Sequence, residues 1–455
     1  MASLYAEGKR GFVFLLFLLS LIPVAAVCDV QFVSIGFLEG GLASELRGVS
    51  ADGRVAVGQA ADEDGVDYLV FWTAETGLVN LEVLEGFVFS RGRACGIDSE
   101  ENLYIAGYGE YIATGTNRAF LWIGDLEGNE KQTIVLPTFG GQESIARDLR
   151  VMANDDVRVV GYATNSTGKK QAFRWRLSDG DMLNLDEWTP ADDANKGSDA
   201  WGISKSGGKI SGFAQDPAHW AFHFTTANKQ GMWNFANGRG RGISADGNWV
   251  VGGYAGPNSD QAFRWNWNAG AGSPVQELGE GEAFACSEDG SIVVGKGPQG
   301  AMIWDGEGGW RSLQNELEEV YGLELADWKL EVAYDISDDG KTIVGMGYHY
   351  EVPEGWVVRF VETKGFFIRG DVNQDSTLNV ADVISLLEYL FGGGKQPFCL
   401  DSADANDDGK LDLADAIRTL GYLFAGGATL PDPFGTCGPD PTEDELDCQS
   451  FTPCQ

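Results

Sequence analysis

Two stretches near the C-terminus place oxygen-bearing side chains at the spacing that a hard cation requires. They run from 371 to 382 and from 404 to 415, and each offers donors at loop positions 1, 3, 5, 9 and 12. Position 7 would contribute its backbone carbonyl, which completes the pattern for a Ca²⁺ ion. We therefore predict two calcium ions, one held by Asp371, Asn373, Asp375, Thr377, Asn379 and Asp382, the other by Asp404, Asn406, Asp408, Lys410, Asp412 and Asp415.

Each loop leads into an apolar segment with helical spacing, at 383–391 and at 416–424. The two units form an internal duplication, with the loops starting 33 residues apart. No helical pattern precedes either loop, and position 12 is aspartate where an ordinary EF-hand has glutamate. In these features residues 366–427 resemble the dockerin family. The resemblance implies calcium binding and docking onto a cohesin-like protein module.

Two features of the dockerin-like region lead to more detailed predictions about its calcium affinity and its partner. Ser376 stands at position 6 of the first loop where the second has Gly409, so we predict a strained turn and a weaker ion in the first loop. The resemblance implies that the residues after position 9 help to choose the partner. These are the near-equivalent pairs Val380-Ala381 and Leu413-Ala414, which would suit docking in either of two orientations. The alternative is that calcium only stabilises the helices and no partner exists.

Upstream of residue 361 a degenerate unit recurs seven times, with copies roughly 40 to 54 residues apart. The unit consists of an apolar strand ending in Ile-Ser, a two-residue Asp-Gly hairpin turn, a second strand ending in glycine, and an aromatic Ala-Phe-x-Trp strand, although copies two to four depart from the Asp-Gly turn. The copies align on Gly58, Gly107, Gly161, Gly212, Gly252, Gly295 and Gly345. Four short strands at this period are typical of a propeller blade. The sequence therefore predicts a mainly β protein, with a seven-bladed β-propeller of four-stranded blades at 30–360 followed by the small α-helical calcium module.

The repeat resembles the extracellular HAF repeat family, which implies an extracellular repeat protein without a particular activity. Its last copy ends at the aromatic strand, whereas the apolar segment 32–38 precedes the first copy. We expect this N-terminal strand to complete the last blade and close the ring. The recurring tryptophans either pack the blades or form a sugar platform at the channel mouth; they are Trp72, Trp122, Trp175, Trp265 and Trp304.

The N-terminus and the cysteines favour secretion. Residues 1–26 have the charged start, apolar run and small residues of a signal peptide, and Val27 before Cys28 argues against a lipoprotein. The tail at 428–455 is rich in cysteine and proline, and two disulfides with three pairings open are expected among Cys399, Cys437, Cys448 and Cys454. Cys95 and Cys286 occupy similar places in different blades, so we expect both to be buried and free.

Composition and motifs limit the function. The net charge of −36 argues against nucleic acid or an anionic membrane surface as partner, and no membrane span is expected after signal removal. No nucleophile elbow or His-Glu-x-x-His motif supplies catalytic residues. The sequence thus favours a secreted calcium-binding interaction protein, tethered to a cohesin-like partner, with a polysaccharide or surface ligand at the propeller. A carbohydrate-active enzyme with clustered acids of raised pKa in the channel, and a structural or adhesive surface protein, remain alternatives.

Overall fold

The computed structural model describes part of the chain, in two compact units. It covers residues 28–455 apart from 189–196, 216–218, 226–229, 237, 257–258, 270–273, 363–364, 443, 445, 447, 449–450 and 455. One unit is Val30–Val361 and the other contains Glu362–Gln455. The predicted signal at 1–26 lies outside the described residues. None of the helices in the described part of the chain has the length and apolar character needed to cross a bilayer.

The larger unit is a β-propeller, and its described residues form seven four-stranded antiparallel sheets. Strand β1 is Cys28–Ser34. Sheet 1 contains β2 (Ala43–Val49), β3 (Val55–Ala61), β4 (Asp67–Thr73) and β5 (Gly77–Asn80), and sheet 2 contains β6 (Arg91–Ile97), β7 (Leu103–Tyr111), β8 (Thr116–Gly124) and β9 (Glu130–Val135). Sheet 3 contains β10 (Gly140–Val151), β11 (Val157–Asn165), β12 (Lys170–Arg176) and β13 (Met182–Asn184). Sheet 4 contains β14 (Ser198–Ile203), β15 (Lys209–Gln215), β16 (His219–Thr225) and β17 (Gln230–Ala236). Sheet 5 contains β18 (Gly238–Ile243), β19 (Trp249–Ala255), β20 (Asp260–Asn266) and β21 (Gln276–Glu280). Sheet 6 contains β22 (Glu282–Cys286), β23 (Val293–Gly297), β24 (Gly300–Asp305) and β25 (Gly309–Ser312).

Sheet 7 confirms the predicted closure by the N-terminal strand. It contains β26 (Trp328–Ile336), β27 (Thr342–His349) and β28 (Val352–Glu362), and β1 pairs along the free edge of β28. The first strand of each sheet lies beside that of the next, and β26 lies beside β2. The buried Glu354 carboxylate accepts hydrogen bonds from the Ser34 hydroxyl and, at 3.0 Å, from the Gly36 N–H. The two ends of the repeat array are thereby joined.

The Asp-Gly turns have a different form from the expected two-residue turn. In sheet 1 the connection spans Ala51 to Arg54, and of these residues only Gly53 has a positive φ, of 71°. The Asp52 Oδ1 atom accepts hydrogen bonds from the Ser50 hydroxyl at 2.6 Å and the Arg54 N–H at 3.1 Å. The same serine-to-aspartate contact recurs at Asp246, Asp289 and Asp339. The longer turn forms because the aspartate binds the turn backbone itself, so these four aspartates are turn formers.

The recurring aromatic residues pack between sheets. Trp72, Trp122, Trp175, Trp265 and Trp304 are all buried, with at most 6% of their surface exposed. Of the two roles predicted for them, they therefore have the first, packing within the propeller, because side chains this deeply buried cannot form a sugar platform. The free cysteines Cys95 and Cys286 are buried, which confirms the prediction for them.

The described part of the C-terminal unit contains three α-helices besides its two loops. The chain's helices are α1 (Leu313–Glu319), which lies in the larger unit, followed by α2 (Val380–Phe391), α3 (Leu400–Ala403) and α4 (Leu413–Ala425). Helices α2 and α4 pack together around Val383, Leu386 and Ala416. The pairing left open by the sequence is Cys399 with Cys448 and Cys437 with Cys454. The first disulfide attaches the tail to the helical module, whereas the second closes a loop within the tail.

Candidate calcium loops and central channel

The first loop, 371–382, has its two end aspartates buried and bound to backbone amides. Asp371 accepts hydrogen bonds from the N–H groups of Asp375 at 3.0 Å and Ser376 at 2.9 Å. Asp382 accepts from those of Asn373 at 3.2 Å and Asn379 at 2.8 Å. Both carboxylates are 0% exposed. Backbone amides thus fold the loop so that its first and last positions face the interior of the turn.

The second loop, 404–415, repeats this arrangement. Asp404 accepts hydrogen bonds from the N–H groups of Asp408 at 3.3 Å and Gly409 at 2.9 Å. Asp415 accepts from those of Asn406 at 3.3 Å and Asp412 at 2.9 Å. The duplicated sequence therefore adopts a duplicated hydrogen-bond pattern.

The charge of these loops fits a cation. Among the described residues, no lysine or arginine forms an ion pair with Asp371, Asp382, Asp404 or Asp415. Burial raises the pKa of Asp371 and of Asp382, and it raises the pKa of Asp415 to about 6, with the Asp404 charge adding to the effect. Buried carboxylates of one sign favour a bound cation. A Ca²⁺ ion would supply the missing positive charge, with oxygen ligands that such an ion prefers.

The remaining predicted ligands lie nearer the surface. Asn373 and Asp375 are exposed and hydrogen-bonded to each other, with 3.0 Å between Asn373 Nδ2 and Asp375 Oδ2. In the second loop the half-buried Asn406 donates to the exposed Asp408 at 2.9 Å. Positions 7, Thr377 and Lys410, are exposed. Asn379 and Asp412 are the N-caps of α2 and α4 and form capping boxes with positions 12. Positions 9 and 12 therefore have a helix-capping role even without an ion.

The tail adds carboxylates that the sequence reasoning did not include. Within the described residues, two groups of three acids have carboxylate oxygens that all lie within 4.8 Å of one another: Asp401, Asp440, Asp444 and Asp404, Asp407, Asp444. Neither group is one of the predicted ligand sets, although Asp404 belongs to one. Acidic side chains from 440–444 thus stand beside the second loop.

The turn at position 6 has the expected left-handed backbone in both loops. Ser376 has a φ of 66° and Gly409 a φ of 73°. A side chain in this region costs roughly 1 to 2 kcal/mol, which glycine avoids. The strain predicted at Ser376 follows from this angle, whereas the weaker ion in the first loop stays a prediction.

Replacing Ser376 with glycine should raise the free energy of unfolding of the C-terminal unit by about 1 kcal/mol, because the left-handed turn is then unstrained. The measurement is urea unfolding followed by the helical circular dichroism signal, which comes mostly from α2 and α4. The reciprocal Gly409→Ser variant should lower the free energy of unfolding. An unchanged or less stable Ser376→Gly protein would show that the turn is not strained.

The central channel is lined by a repeated set of arginines and aromatic residues. In the first strand of each repeat, a register shift leaves one residue bulged; these residues are Arg47, Arg93, Arg147, Trp201, Arg241, Phe284 and Tyr334, called here the channel ring. Strands β10 and β26 each have a second shift nearer their N-terminal ends. All seven residues of the channel ring line one cavity of about 430 Å³. A bulge turns its side chain away from the regular pleat, so the shift explains why the channel ring points inward.

Glycine opposite each bulge permits this geometry. A Cβ atom on Gly58 would lie 1.8 Å from the Glu45 carbonyl oxygen, and one on Gly252 would lie 1.8 Å from that of Arg239. These are the glycines on which the repeats align. They are required because the bulged strand approaches the neighbouring backbone too closely for a side chain.

Asp148 and Asp335 line the same cavity and have perturbed acidity. Burial raises the pKa of Asp148 to about 6 and that of Asp335 to about 7. Each carboxylate joins two sheets: Asp148 accepts from the Ile203 N–H and Asp335 from the Val49 N–H, both at 2.9 Å. Their second oxygens accept from the N–H of the next residue in the chain. Backbone donors therefore bind both oxygens of each carboxylate.

Sequence reasoning missed the channel ring, although a signal was present. In five copies the ring residue stands three positions before the serine of the Ile-Ser segment or its equivalent, as in Arg47, Trp201 and Tyr334. In an alignment of these five copies, the column contains only arginine or aromatic residues. The alignment could have identified the column, but only the bulge shows that it faces the channel.

Comparison with known proteins finds only distant similarities to solved β-propellers. No protein-family model matches the chain, and no curated protein matches it. The chain is similar to the β-propeller domain of Cps50 from Myceliophteria thermophila, with 12% identity, a TM-score of 0.40, and coverage of 72% of this chain and 99% of that one. It is also similar to the β-propeller domain of the Trilobed protease from Pyrococcus furiosus, with 14% identity, a TM-score of 0.39, and coverage of 59% and 80%. Similarities this distant carry no argument about function.

Proposed function

We propose that this chain is a secreted calcium-binding interaction protein. Its seven sheets would form one seven-bladed recognition domain of the HAF-repeat type, and its C-terminal unit would be a dockerin-like module. The module would bind two Ca²⁺ ions and tether the propeller to a cohesin-like partner in an extracellular or surface assembly. Two disulfides in the C-terminal unit support an oxidising compartment.

The observation that carries the proposal is the matched pair of loops. Positions 1 and 12 of each loop are buried aspartates held by equivalent backbone amides, and among the described residues none of these four carboxylates forms an ion pair with a lysine or arginine. Calcium bound between them would neutralise charges that otherwise oppose folding. The calcium would thus order the two helices that follow the loops.

The two helices supply equivalent apolar surfaces. Val380, Ile384 and Phe391 on α2 are 46%, 50% and 72% exposed. Leu413, Ile417 and Phe424, at the matching positions of α4, are 48%, 61% and 71% exposed. Large apolar side chains exposed in a regular row favour a protein partner. The near-identity of the two rows favours a partner that binds either helix.

Capture from the organism's own secreted and envelope fractions tests this proposal, using the full chain as bait with calcium and then with a chelator. We expect one partner that is retained only with calcium. Ile384→Asp and Ile417→Asp should each leave capture largely intact, whereas the double variant should abolish it. Calcium titration of all variants should still give two ions per chain. Binding of calcium without any captured partner would overturn docking and leave a structural or adhesive role.

A carbohydrate-active enzyme is the second candidate, and Asp148 with Asp335 is the observation that favours it. Two acids of raised pKa in one cavity could act as general acid and base. Their four backbone hydrogen bonds favour a structural role instead. Release of reducing sugar from a polysaccharide by the wild type, and its loss in a folded Asp148→Asn variant, would support the enzyme.

A further inference from the structure

Three of the four arginines in the channel ring have a carboxylate partner. Arg47 pairs with Glu45 at 2.6 Å and Arg147 with Asp199 at 2.9 Å. Arg241 pairs with Glu282 at 2.7 Å. Since these pairs are neutral overall, they add little net charge to the channel.

Arg93 is the exception. Within the described part of the chain it forms no ion pair; its Nη2 atom donates to the Tyr108 hydroxyl at 3.0 Å, and its buried Nε atom has no hydrogen-bond partner. Burial, followed by repulsion from Arg47, lowers the pKa of Arg93 below its usual value. This half-buried guanidinium has lost part of its hydration without gaining an anion, a cost that an anionic ligand would offset.

A second cavity next to the channel ring contains further positively charged side chains. This neighbouring cavity of about 300 Å³ is lined by four cationic residues, Arg147 and Arg241, which it shares with the channel, and Lys170 and Arg239; its one acidic residue, Asp199, pairs with Arg147. Lys170 and Arg239 are exposed and form no ion pair among the described residues. This concentration of cations contrasts with the chain's net charge of −36. The local field therefore attracts anions that the rest of the surface repels.

Aromatic rings hold the guanidinium groups in place. Arg147 and Arg241 each lie 4.1 Å from the centre of the Trp201 ring, and Arg47 lies 3.8 Å from that of Tyr334. Such cation–π contacts fix the planar donors before a ligand arrives. A preorganised site loses less side-chain freedom on binding.

We propose that the channel ring binds a sugar-sized organic oxyanion, with Arg93 as the residue that receives the carboxylate or phosphate group. The cavity of about 430 Å³ suits a ligand of one sugar ring. Of the arginine-paired carboxylates, Glu282 lines this cavity and keeps lone pairs that can accept hydrogen bonds from ligand hydroxyl groups. A hydroxylated scaffold with one oxyanion therefore uses both kinds of group. The inference does not rest on calcium binding or docking.

Calorimetric titration of the full chain with D-glucuronate, glucose 6-phosphate and glucose, at constant ionic strength, tests the site. We expect at least one of the two anions to bind with a Kd below about 1 mM and glucose to bind at least about tenfold more weakly. Preference for glucuronate identifies a carboxylate ligand, and preference for glucose 6-phosphate identifies a phosphate ligand. Equal binding of all three, or no binding of either anion, overturns the proposal.

Arg93→Gln should weaken anion binding at least about tenfold, and Arg93→Lys should weaken it less, since lysine keeps the charge but loses the planar fork. Arg54→Gln, which removes an exposed arginine paired with Asp52 and Glu101, is the control and should leave binding unchanged. Without ligand, Arg93→Gln should melt at the wild-type temperature or higher, because repulsion is relieved. Unchanged binding by Arg93→Gln, or a lower melting temperature without ligand, would indicate a purely structural arginine.

Discussion

Replacing Arg369 with glutamine is expected to lower the free energy of unfolding of the C-terminal unit by about 3 to 5 kcal/mol. Its guanidinium, 1% exposed, forms ion pairs with Asp440 at 2.7 Å and Asp407 at 2.9 Å. It also donates to the carbonyl oxygens of Asp404 at 2.6 Å and Asp432 at 3.1 Å. Glutamine cannot replace these donors, so two carboxylates of the tail and second loop would lose their counter-charge.

The two units can be followed separately in this experiment. All 14 tryptophans lie upstream of residue 357, so tryptophan fluorescence reports only the larger unit, whereas the helical signal reports mainly α2 and α4. Lys395→Gln is the charge-matched control, since Lys395 is exposed, and should change the free energy of unfolding little. Equal stability of the Arg369 and Lys395 variants would mean that the buried ion pairs contribute nothing net.

The second large effect is a pH dependence centred on Asp335. Because burial raises its pKa to about 7, the folded protein holds a proton that the unfolded chain releases. The contribution of Asp335 is therefore fully present below about pH 4 and is lost as the pH rises to about 7. The shift corresponds to about 4 kcal/mol. Asp335→Asn cannot ionise and should lack this dependence.

The measurement compares tryptophan-detected urea unfolding of wild type and Asp335→Asn from pH 4 to pH 8. At low pH the variant should be less stable, because an amide group cannot accept from both the Val49 and Ile336 N–H groups. Relative to the wild type, the free energy of unfolding of the variant should then rise by about 4 kcal/mol between pH 4 and pH 8. Asp64→Asn, at an exposed site, should give a constant difference. A constant difference for Asp335→Asn as well would refute its raised pKa.

Local sequence patterns were sufficient to predict the repeated strands, turns and loops. Apolar segments of period two, broken by Ser-x-Asp-Gly, specify strands and turns because each side chain alternates between faces and the aspartate binds its own turn. The loops at 371–382 and 404–415 were identified in the same way, since their oxygen donors are close in sequence and α2 and α4 follow directly. Even the closure by β1 followed from counting strands.

Long-range contacts decided the remainder. One exception is local: the length of the turn depended on hydrogen bonds between Ser50, Asp52 and Arg54, which the Asp-Gly pair alone does not specify. The disulfide pairing depended on where the tail lies against the helical module, as did the ion pairs of Arg369. Four cysteines allow three pairings, and only a folded backbone brings particular sulfur atoms together.

The sequence by itself determined a mainly β repeat array with four-stranded units and two duplicated oxygen-donor loops, because these features depend on neighbours in the chain. Only the tertiary structure placed the channel ring, since its residues come from seven sheets and face one cavity through bulges opposite the aligned glycines. The unpaired charge of Arg93 is likewise a property of the assembled ring. Its partners, and the lack of a carboxylate among the described residues near it, depend on strands far apart in sequence.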